Sequence, residues 1–300
     1  MLIECVPNVS EGRRPEVIES LASSLVGVRH ATLIDISSDP DHNRTVLTLA
    51  GSPHGLKEAV RAIYTVALAA IDMRVQEGVH PRMGAVDVVP FIPVEGCDMD
   101  YCVALSREVA QEIAGEFDLP IFLYARSAAS DSRRKLADIR EGGFEAMAEK
   151  LRDPAWKPDF GPAAPHPTLG VSAMGARPYL IAYNIQLETP DLLVARSIAR
   201  AVRESSGGLP FLQAMGVYLP ARRQAQVSMN LLDYEKTPLL RVFNAVKAEA
   251  ALRNTRVADS EIVGLIPKAA LGSASPEDLQ IENWRESLIL ENALRAKLSA

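Results

Sequence analysis

Read for hydrophobic periodicity, the chain runs strand, helix, strand, strand, helix, strand, and then runs through that order again. No other feature narrows the fold as much. In the first pass, MLIECVPNV reads as a strand ended by Pro7, Asn8 and Ser10, and PEVIESLASSLV as a helix with Pro15 in its first turn. ATLIDIS and RTVLTLAG are strands joined by the turn-rich SDPDHN. Ser52 is placed to cap a helix with Pro53 at its first position, running to about Met73, and AVDVVPFIPV follows as a strand. Pro90 and Pro93 cannot donate ladder hydrogen bonds, so the end of that strand is expected at an edge or to be irregular. Cys102, Leu105, Val109, Ile113 and Phe117 recur at helical spacing, PIFLYAR adds a strand and GGFEAMAEKL a closing helix.

The second pass is RPYLIAYNIQL, DLLVARSIARAVRES, FLQAMGVYLP, QAQVSMNLLDY, PLLRVFNAVKAEAALR and SEIVGLIP. Between the passes lies WKPDFGPAAPHPTLG, whose Pro and Gly content reads as a crossing between lobes. A repeated split βαβ buries one face of a sheet under helices. The expected fold class is therefore α/β in the α+β sense: two ferredoxin-like subdomains, each a split βαβ sheet covered by helices, over residues 1–177 and 178–300. The repeat lies in the element order and not in residue identities.

With 300 residues the chain is long enough for two such lobes, and 48% hydrophobic against 23% charged residues is a globular balance. A net charge of -6 argues against a broad nucleic-acid footprint, so an anionic ligand needs local cations. Arg133-Arg134-Lys135, flanked by Asp131 and Asp138, reads as a solvated helix end. Cys5, Cys97 and Cys102 form no CxxC pair, which argues against a disulfide framework and a structural zinc site. No signal peptide is visible, and the apolar run Ala62 to Ile71 falls well short of the roughly 18 residues of a membrane span. The expected compartment is a reducing cytoplasm, with no membrane partner.

The common dinucleotide, phosphate-loop and nucleophile-elbow motifs are missing. The most informative stretch is GVHPRMG, residues 78–84, between an apolar helix and an apolar strand. Its Gly and Pro residues fix a loop that carries His80, whose imidazole suits proton transfer near neutrality. A loop histidine bonded to a nearby carbonyl accounts for the same residues equally well. Asp39, Asp41 and His42 fit no established metal loop, and a turn with side-chain-to-backbone bonds explains them; no metal is expected. Arg44 opens a strand and is a candidate for pairing with a ligand carboxylate, against the plain alternative of a surface arginine. The segment GPAAPHPTLG has Gly161 and Gly170 at its ends and three prolines within, so it is stiff and lets backbone approach a flat ligand. An interlobe linker would look the same.

These stretches together resemble the formiminotransferase domain family. The likeness runs through ECVPNVSEGR, DHNRTVLTLAG, HPRMGAVDVVPFIPV, PIFLYA, DSRRKLADIR, PDFGP, GARPYLIAYNIQL, QAMGVYLP, AQVSMNLLDYEKTPL and IVGLIP, which is nearly the whole chain. The resemblance implies transfer of a formimidoyl group from N-formimidoyl-L-glutamate to N5 of tetrahydrofolate, in histidine degradation. Tetrahydrofolate is then a co-substrate, bound between two similar subdomains. It implies that the catalytic histidine falls on His80 and the folate loop on Gly161, Pro162, Ala163, Ala164, Pro165, His166, Pro167, Thr168, Leu169 and Gly170. An aspartate of the family falls on Ser37 here, with Asp35, Asp39 and Asp41 nearby. Arg44, Arg82 and Arg177 are candidates to hold substrate carboxylates. A homodimer is compatible with the resemblance, and no cyclodeaminase activity is expected of a chain stopping at Ala300. Formyl transfer from N-formylglutamate and folate binding without turnover are the alternatives.

Overall fold

The computed structural model describes residues 1–298. Its contacts divide the chain into one unit over Met1–Arg177 and a second from Pro178 onward. In the first unit, strand β1 (Leu2–Cys5) and the short β2 (Asn8–Val9) are followed by helix α1 (Pro15–Ser24), strands β3 (Ala31–Asp39) and β4 (Arg44–Gly51), helix α2 (Pro53–Ala70) and strand β5 (Val86–Glu95). Helix α3 (Met99–Phe117), strand β6 (Ile121–Leu123), helices α4 (Leu136–Arg140) and α5 (Gly143–Lys150) and strand β7 (Ser172–Ala176) complete it. β3 pairs with β4, which pairs with β1 and β2; these pair with β5, to which β7 and then β6 are added in parallel.

Local chemistry accounts for these elements. Ser52 Oγ accepts from Gly55 N with Pro53 at the first helical position of α2. Asp98 caps α3 through Tyr101 N at 2.8 Å, and Asp118 ends it in the left-handed conformation. The α3 residues Cys102, Leu105, Val109, Ile113 and Phe117 are all buried. They join Val17 and Leu21 of α1 and Leu56, Val60 and Ile63 of α2 against Ile3, Cys5, Leu47, Leu49, Val89 and Phe91 of the sheet. On the opposite face, α4 and α5 cover only the β5–β7–β6 side, through Ile139, Met147 and Leu151 on Val88, Phe122 and Ala173. The polar groups described below lie along that side.

The structure refines the sequence-based reading in several places. β5 is interior over its first part, and its end is irregular and at an edge, as its prolines suggest: the register with β1 shifts opposite Pro93 and Glu95, and β7 pairs only as far as Phe91. Pro90 sits opposite the break between β1 and β2: Val6 N donates to Pro90 O, and Pro7 interrupts the partner strand there. The missing Pro90 donor thus falls where the neighbouring ladder is already broken. The segment WKPDFGPAAPHPTLG does not cross between units. Ile121 exchanges backbone bonds with Phe160, and the chain continues into β7, which lies between β5 and β6. β7 was illegible because its sequence, SAMGA, lacks β-branched residues; Gly175 is needed where a Cβ would overlap the Tyr124 carbonyl. Finally, Arg133 is buried and not solvated. Its guanidinium lies 5.1 Å over the Phe122 ring, pairs with Asp159 at 3.0 Å and donates to the carbonyls of Ala155 and Lys157.

The second unit follows strand β8 (Ile181–Leu187) with helix α6 (Leu192–Val202), strands β9 (Leu212–Leu219) and β10 (Gln224–Leu231), helix α7 (Leu239–Ala251) and strand β11 (Val257–Val263). Its antiparallel order, β11-β8-β10-β9, is that of a split βαβ sheet. Tyr183, Ile185, Val227 and Met229 alternate inward under Ile198, Val242 and Phe243. Asn184 and Gln226 point the other way and both donate to Glu261. Beyond β11, where the sequence suggested no element, the chain returns against the sheet through bridges Ser260–Ile281 and Ile266–Ile289, and helix α8 (Leu290–Leu298) ends the described residues. The mixed architecture is thus two α+β subdomains, each a sheet under helices.

The His80 loop closes on the rest of the first unit at Gly84. Gly84 bridges to Gly170, Ser10 Oγ donates to Gly84 O at 2.7 Å, and a Cβ on Gly84 would overlap the Val171 carbonyl. Gly84→Ala is therefore expected to cost about 1–3 kcal/mol, the range for buried overpacking and backbone displacement, seen as a lowered denaturant midpoint.

Candidate functional site

β2 and β4 pair antiparallel with Asn8 opposite Val46, so Arg44, two residues along, emerges on the same face as Asn8. Asn8 Nδ2 donates to Val6 O at 2.7 Å, which fixes its amide oxygen toward Arg44; that oxygen accepts from Arg44 Nε at 3.0 Å and Nη2 at 2.6 Å. Arg44 Nη1 lies 3.2 Å from Asp87 Oδ2. Asp87 projects from β5, is wholly buried, and accepts the backbone N–H of Met83 on its other oxygen at 2.8 Å. Arg140, at the end of α4, brings Nη2 to 2.5 Å from the same Asp87 Oδ2. Two cations thus share one carboxylate.

His80 stands beside them. Its Nδ1 is 2.7 Å from Pro81 O and 3.0 Å from Arg44 Nη1, and its ring centroid is 5.8 Å from that of His42. Nδ1 cannot donate to the carbonyl and accept from the guanidinium at once. The shorter contact assigns the proton to Nδ1, donated to Pro81 O, and leaves Nε2 as the basic nitrogen. Burial and then the charges of Arg44, Arg140 and His42 hold the imidazole well below its ordinary 6.5, so it is neutral at neutral pH. Burial and the neighbouring Arg140 push Arg44 down to about 10, offset in part by Asp87, and Arg44 stays charged.

The loop is held from behind. Asn43, left-handed at φ 48°, donates to Glu77 O and accepts from Gly12 N, while Val79 N donates to Asp41 O. Gly78 packs under the His42 carbonyl, where a Cβ would not fit. Asp39 accepts from His42 N at 2.7 Å, closing the DPDH turn on itself, and Ser37 pairs with Val46 within the β3–β4 ladder. Among the described residues, no group of three or more His, Cys, Asp or Glu is arranged to hold a metal ion. Arg82 is a brace: Nε and Nη2 bond Gln76, and Nη1 and Nη2 form a fork on Glu145.

The Gly161–Gly170 segment is a stiff loop whose end is pinned to the His80 loop. Both glycines are left-handed, φ 82° and 73°, and neither has room for a Cβ, against Leu119 O and Met83 O respectively. His166 and Gly170 exchange backbone bonds at 2.9 Å, and His166 Nδ1 accepts from Leu169 N at 3.0 Å. Val171 N donates to Met83 O, and Ala85 N to Leu169 O. An open cleft of about 460 Å³ lies beside the other end of the segment, lined by Gly161, Pro162, Phe160 and the end of α3. Arg177, just past β7, donates its backbone N–H to Phe91 O at 3.1 Å; its side chain bonds Tyr124. The same charge acts on Glu4, a buried carboxyl on β1 that burial pushes up to about 7.

The structure therefore brings Arg44 to His80 and the Gly161–Gly170 segment to the His80 loop. Arg82 is tied to Gln76 and Glu145, and Arg177 to Tyr124. Asn8, Asp87, Arg140, Tyr124 and Glu4 escaped the sequence reading. Asp87 and Glu4 did leave a signal, each being a single acid inside an apolar strand, where a charge is costly unless paired or used.

Comparison with known proteins agrees along the chain's length. The model of the formiminotransferase domain's N-terminal subdomain matches residues 2–177, and that of the formiminotransferase domain matches residues 182–298. Glutamate formimidoyltransferase of Streptococcus pyogenes serotype M1 is 43% identical over 294 residues, covering 98% of both chains. The Thermoplasma acidophilum protein of the same name is 38% identical, over 98% of this chain and 97% of its own. Formimidoyltransferase-cyclodeaminase of Rattus norvegicus is 42% identical over 280 residues, which cover 91% of this chain and 52% of the rat protein.

Two titrations follow from the geometry. An NMR titration should place the His80 inflection below 6.5, and Arg44→Gln should raise it without restoring the ordinary value, because burial is the larger cause. Glu4 has the opposite sign. Its proton is held more tightly in the fold than in the unfolded chain, so stability falls as pH rises from about 4.5 through about 7. Glu4→Gln should raise stability at pH 8 by at most about 3 kcal/mol and change little at pH 4, read from denaturant midpoints.

Proposed function

The chain belongs to the formiminotransferase domain family, and on that premise we propose that it transfers the formimidoyl group of N-formimidoyl-L-glutamate to N5 of tetrahydrofolate, releasing L-glutamate. The observation that carries the chemistry is His80 held neutral, with Nδ1–H bonded to Pro81 O and Nε2 left basic. N5 attacks the amidine carbon, a new C–N bond forms, and the C=N pair moves onto the imino nitrogen. His80 Nε2 takes the proton that N5 must lose. The imidazolium then gives that proton to the glutamate nitrogen as its C–N bond breaks and the C=N bond is restored. One base serves both half-steps, and no covalent enzyme intermediate is involved.

The charge pattern suits the second half-step. Arg44 beside Nδ1 makes the imidazolium a strong acid, so the proton passes readily to a poor leaving group. Arg44 has every nitrogen engaged with Asn8 and Asp87, and Arg82 with Gln76 and Glu145. Their part is to set the field and to brace the loop. The Gly161–Gly170 segment, with room for backbone only at both ends, is the folate contact. Its attachment to Met83 and Gly84 supports that reading, because it ties the co-substrate's loop to the catalytic one.

His80→Ala is expected to lower turnover by about 10² to 10⁴ with tetrahydrofolate affinity little changed, since the lost contribution is proton transfer and not ground-state binding. Glutamate release dependent on tetrahydrofolate, beside equilibrium binding of the folate, measures both. Turnover near that of the parent would remove His80 from the mechanism.

A further inference from the structure

Arg140 takes no part in the proton transfer proposed for His80, yet its surroundings set it apart from Arg82 and Arg133 of the same unit. Its side chain is 12% exposed, its Nε is buried without a hydrogen-bond partner, and its Nη2 reaches only Asp87. Its one ion pair is with Asp87 Oδ2 at 2.5 Å, an oxygen that Arg44 also approaches at 3.2 Å. Asp87 has one negative charge, and its second oxygen is taken by Met83 N. With His80 neutral, the group Arg44–Asp87–Arg140 carries a surplus positive charge in a poorly hydrated setting. Arg133 and Arg82, by contrast, are each matched by a carboxylate of their own and by further acceptors. A buried guanidinium with half a counter-ion and an unfilled Nε donor is costly to the fold unless a ligand completes it.

From this imbalance we infer that Arg140 receives a carboxylate of the glutamate portion of the donor, next to His80. The inference rests on the transferase reading above and adds to it the residue that selects a carboxylate-bearing donor. The chemistry is specific. A carboxylate matches the guanidinium fork and neutralises the surplus charge, whereas a carboxamide matches neither and brings an N–H toward two cations. Arg140 acts on the His80 imidazole as well. An arriving carboxylate would partly cancel that repulsion and strengthen His80 as a base when the donor is in place.

The test compares N-formimidoyl-L-glutamate with its two monocarboxamides as donors, at saturating tetrahydrofolate, for the parent, Arg140→Gln and Arg140→Lys. The parent should prefer the dicarboxylate over one of the amides by about 10- to 100-fold in kcat/KM, the worth of one charge-assisted contact. Arg140→Gln should lose most of that preference, chiefly through KM for the dicarboxylate, with the KM for tetrahydrofolate unchanged. Arg140→Lys keeps a cation beside Asp87 and loses the fork, so its preference should be intermediate; it decides the matter alone if Arg140→Gln does not fold. A purely structural Arg140 would slow all three donors equally. Parent-like preference in the variants that fold would overturn the inference while leaving the transferase reading in place. Failure of the parent to transfer from any donor would instead sink the transferase reading, and this inference with it.

Discussion

The carboxylate of Asp87 is the interaction on which the first unit's polar face depends. It lies wholly buried in the middle of an apolar strand and holds three groups from three parts of the chain. These are Met83 N in the His80 loop, Arg44 at the start of β4 and Arg140 at the end of α4. Without it, two guanidinium groups would face each other with no counter-charge, and the loop would lose the bond that sets its approach to β5. Removing one partner of such a group costs far more than the pair contributes to stability, because the remaining charge is left buried alone. The arrangement is therefore better understood as a device for position than as a source of stability. It places Arg44 beside His80 Nδ1, and Asn8 keeps the guanidinium from turning away.

Most of the architecture was legible because it follows from local rules. The cap at Ser52, the helical spacing of Cys102 to Phe117 and the apolar runs that become β8 and β10 are each decided within a few residues. The failures share a cause. β7 reads as a small-residue linker because its backbone must pass close under Tyr124, a fact set by a residue about fifty positions earlier. The irregular end of β5 was expected from its prolines; what was not legible is that Pro90 sits inside the paired part, because the break at Pro7 that permits it lies over eighty residues upstream. Arg133 sits in a basic run whose other members are exposed, so nothing local announces its burial against Phe122 and Asp159.

The site shows the same division. His80 was legible as a candidate from its bracing by Pro and Gly, and the family likeness gave it a role. Its electrostatics were not legible, because Asn8, Arg44, Asp87 and Arg140 come from four separate elements and meet only through the sheet register. Asp87 and Glu4 were visible as acids inside apolar strands, but a sequence cannot say which buried acid is ionised. The structure separates them by their partners. Asp87 has two cations and a backbone donor, whereas burial dominates at Glu4 and raises its proton affinity to near neutrality.

That separation bears on how a single imidazole can serve both halves of a transfer. A base made weak by nearby cations is a poor acceptor for the N5 proton but a strong acid once it holds it. The two demands conflict if the field at His80 is constant. They are reconciled if the field changes during the cycle. With a donor carboxylate on Arg140, as proposed, a dianionic donor would screen the cations and raise the proton affinity of Nε2 while N5 is being deprotonated. The imidazolium would give its proton to the glutamate nitrogen as the C–N bond breaks, and departure of the glutamate carboxylates would then uncover the cations and hold His80 neutral for the next cycle. The substrate's own charge would then tune the catalyst, and the surplus cation held by Asp87 is what allows the substrate to do so.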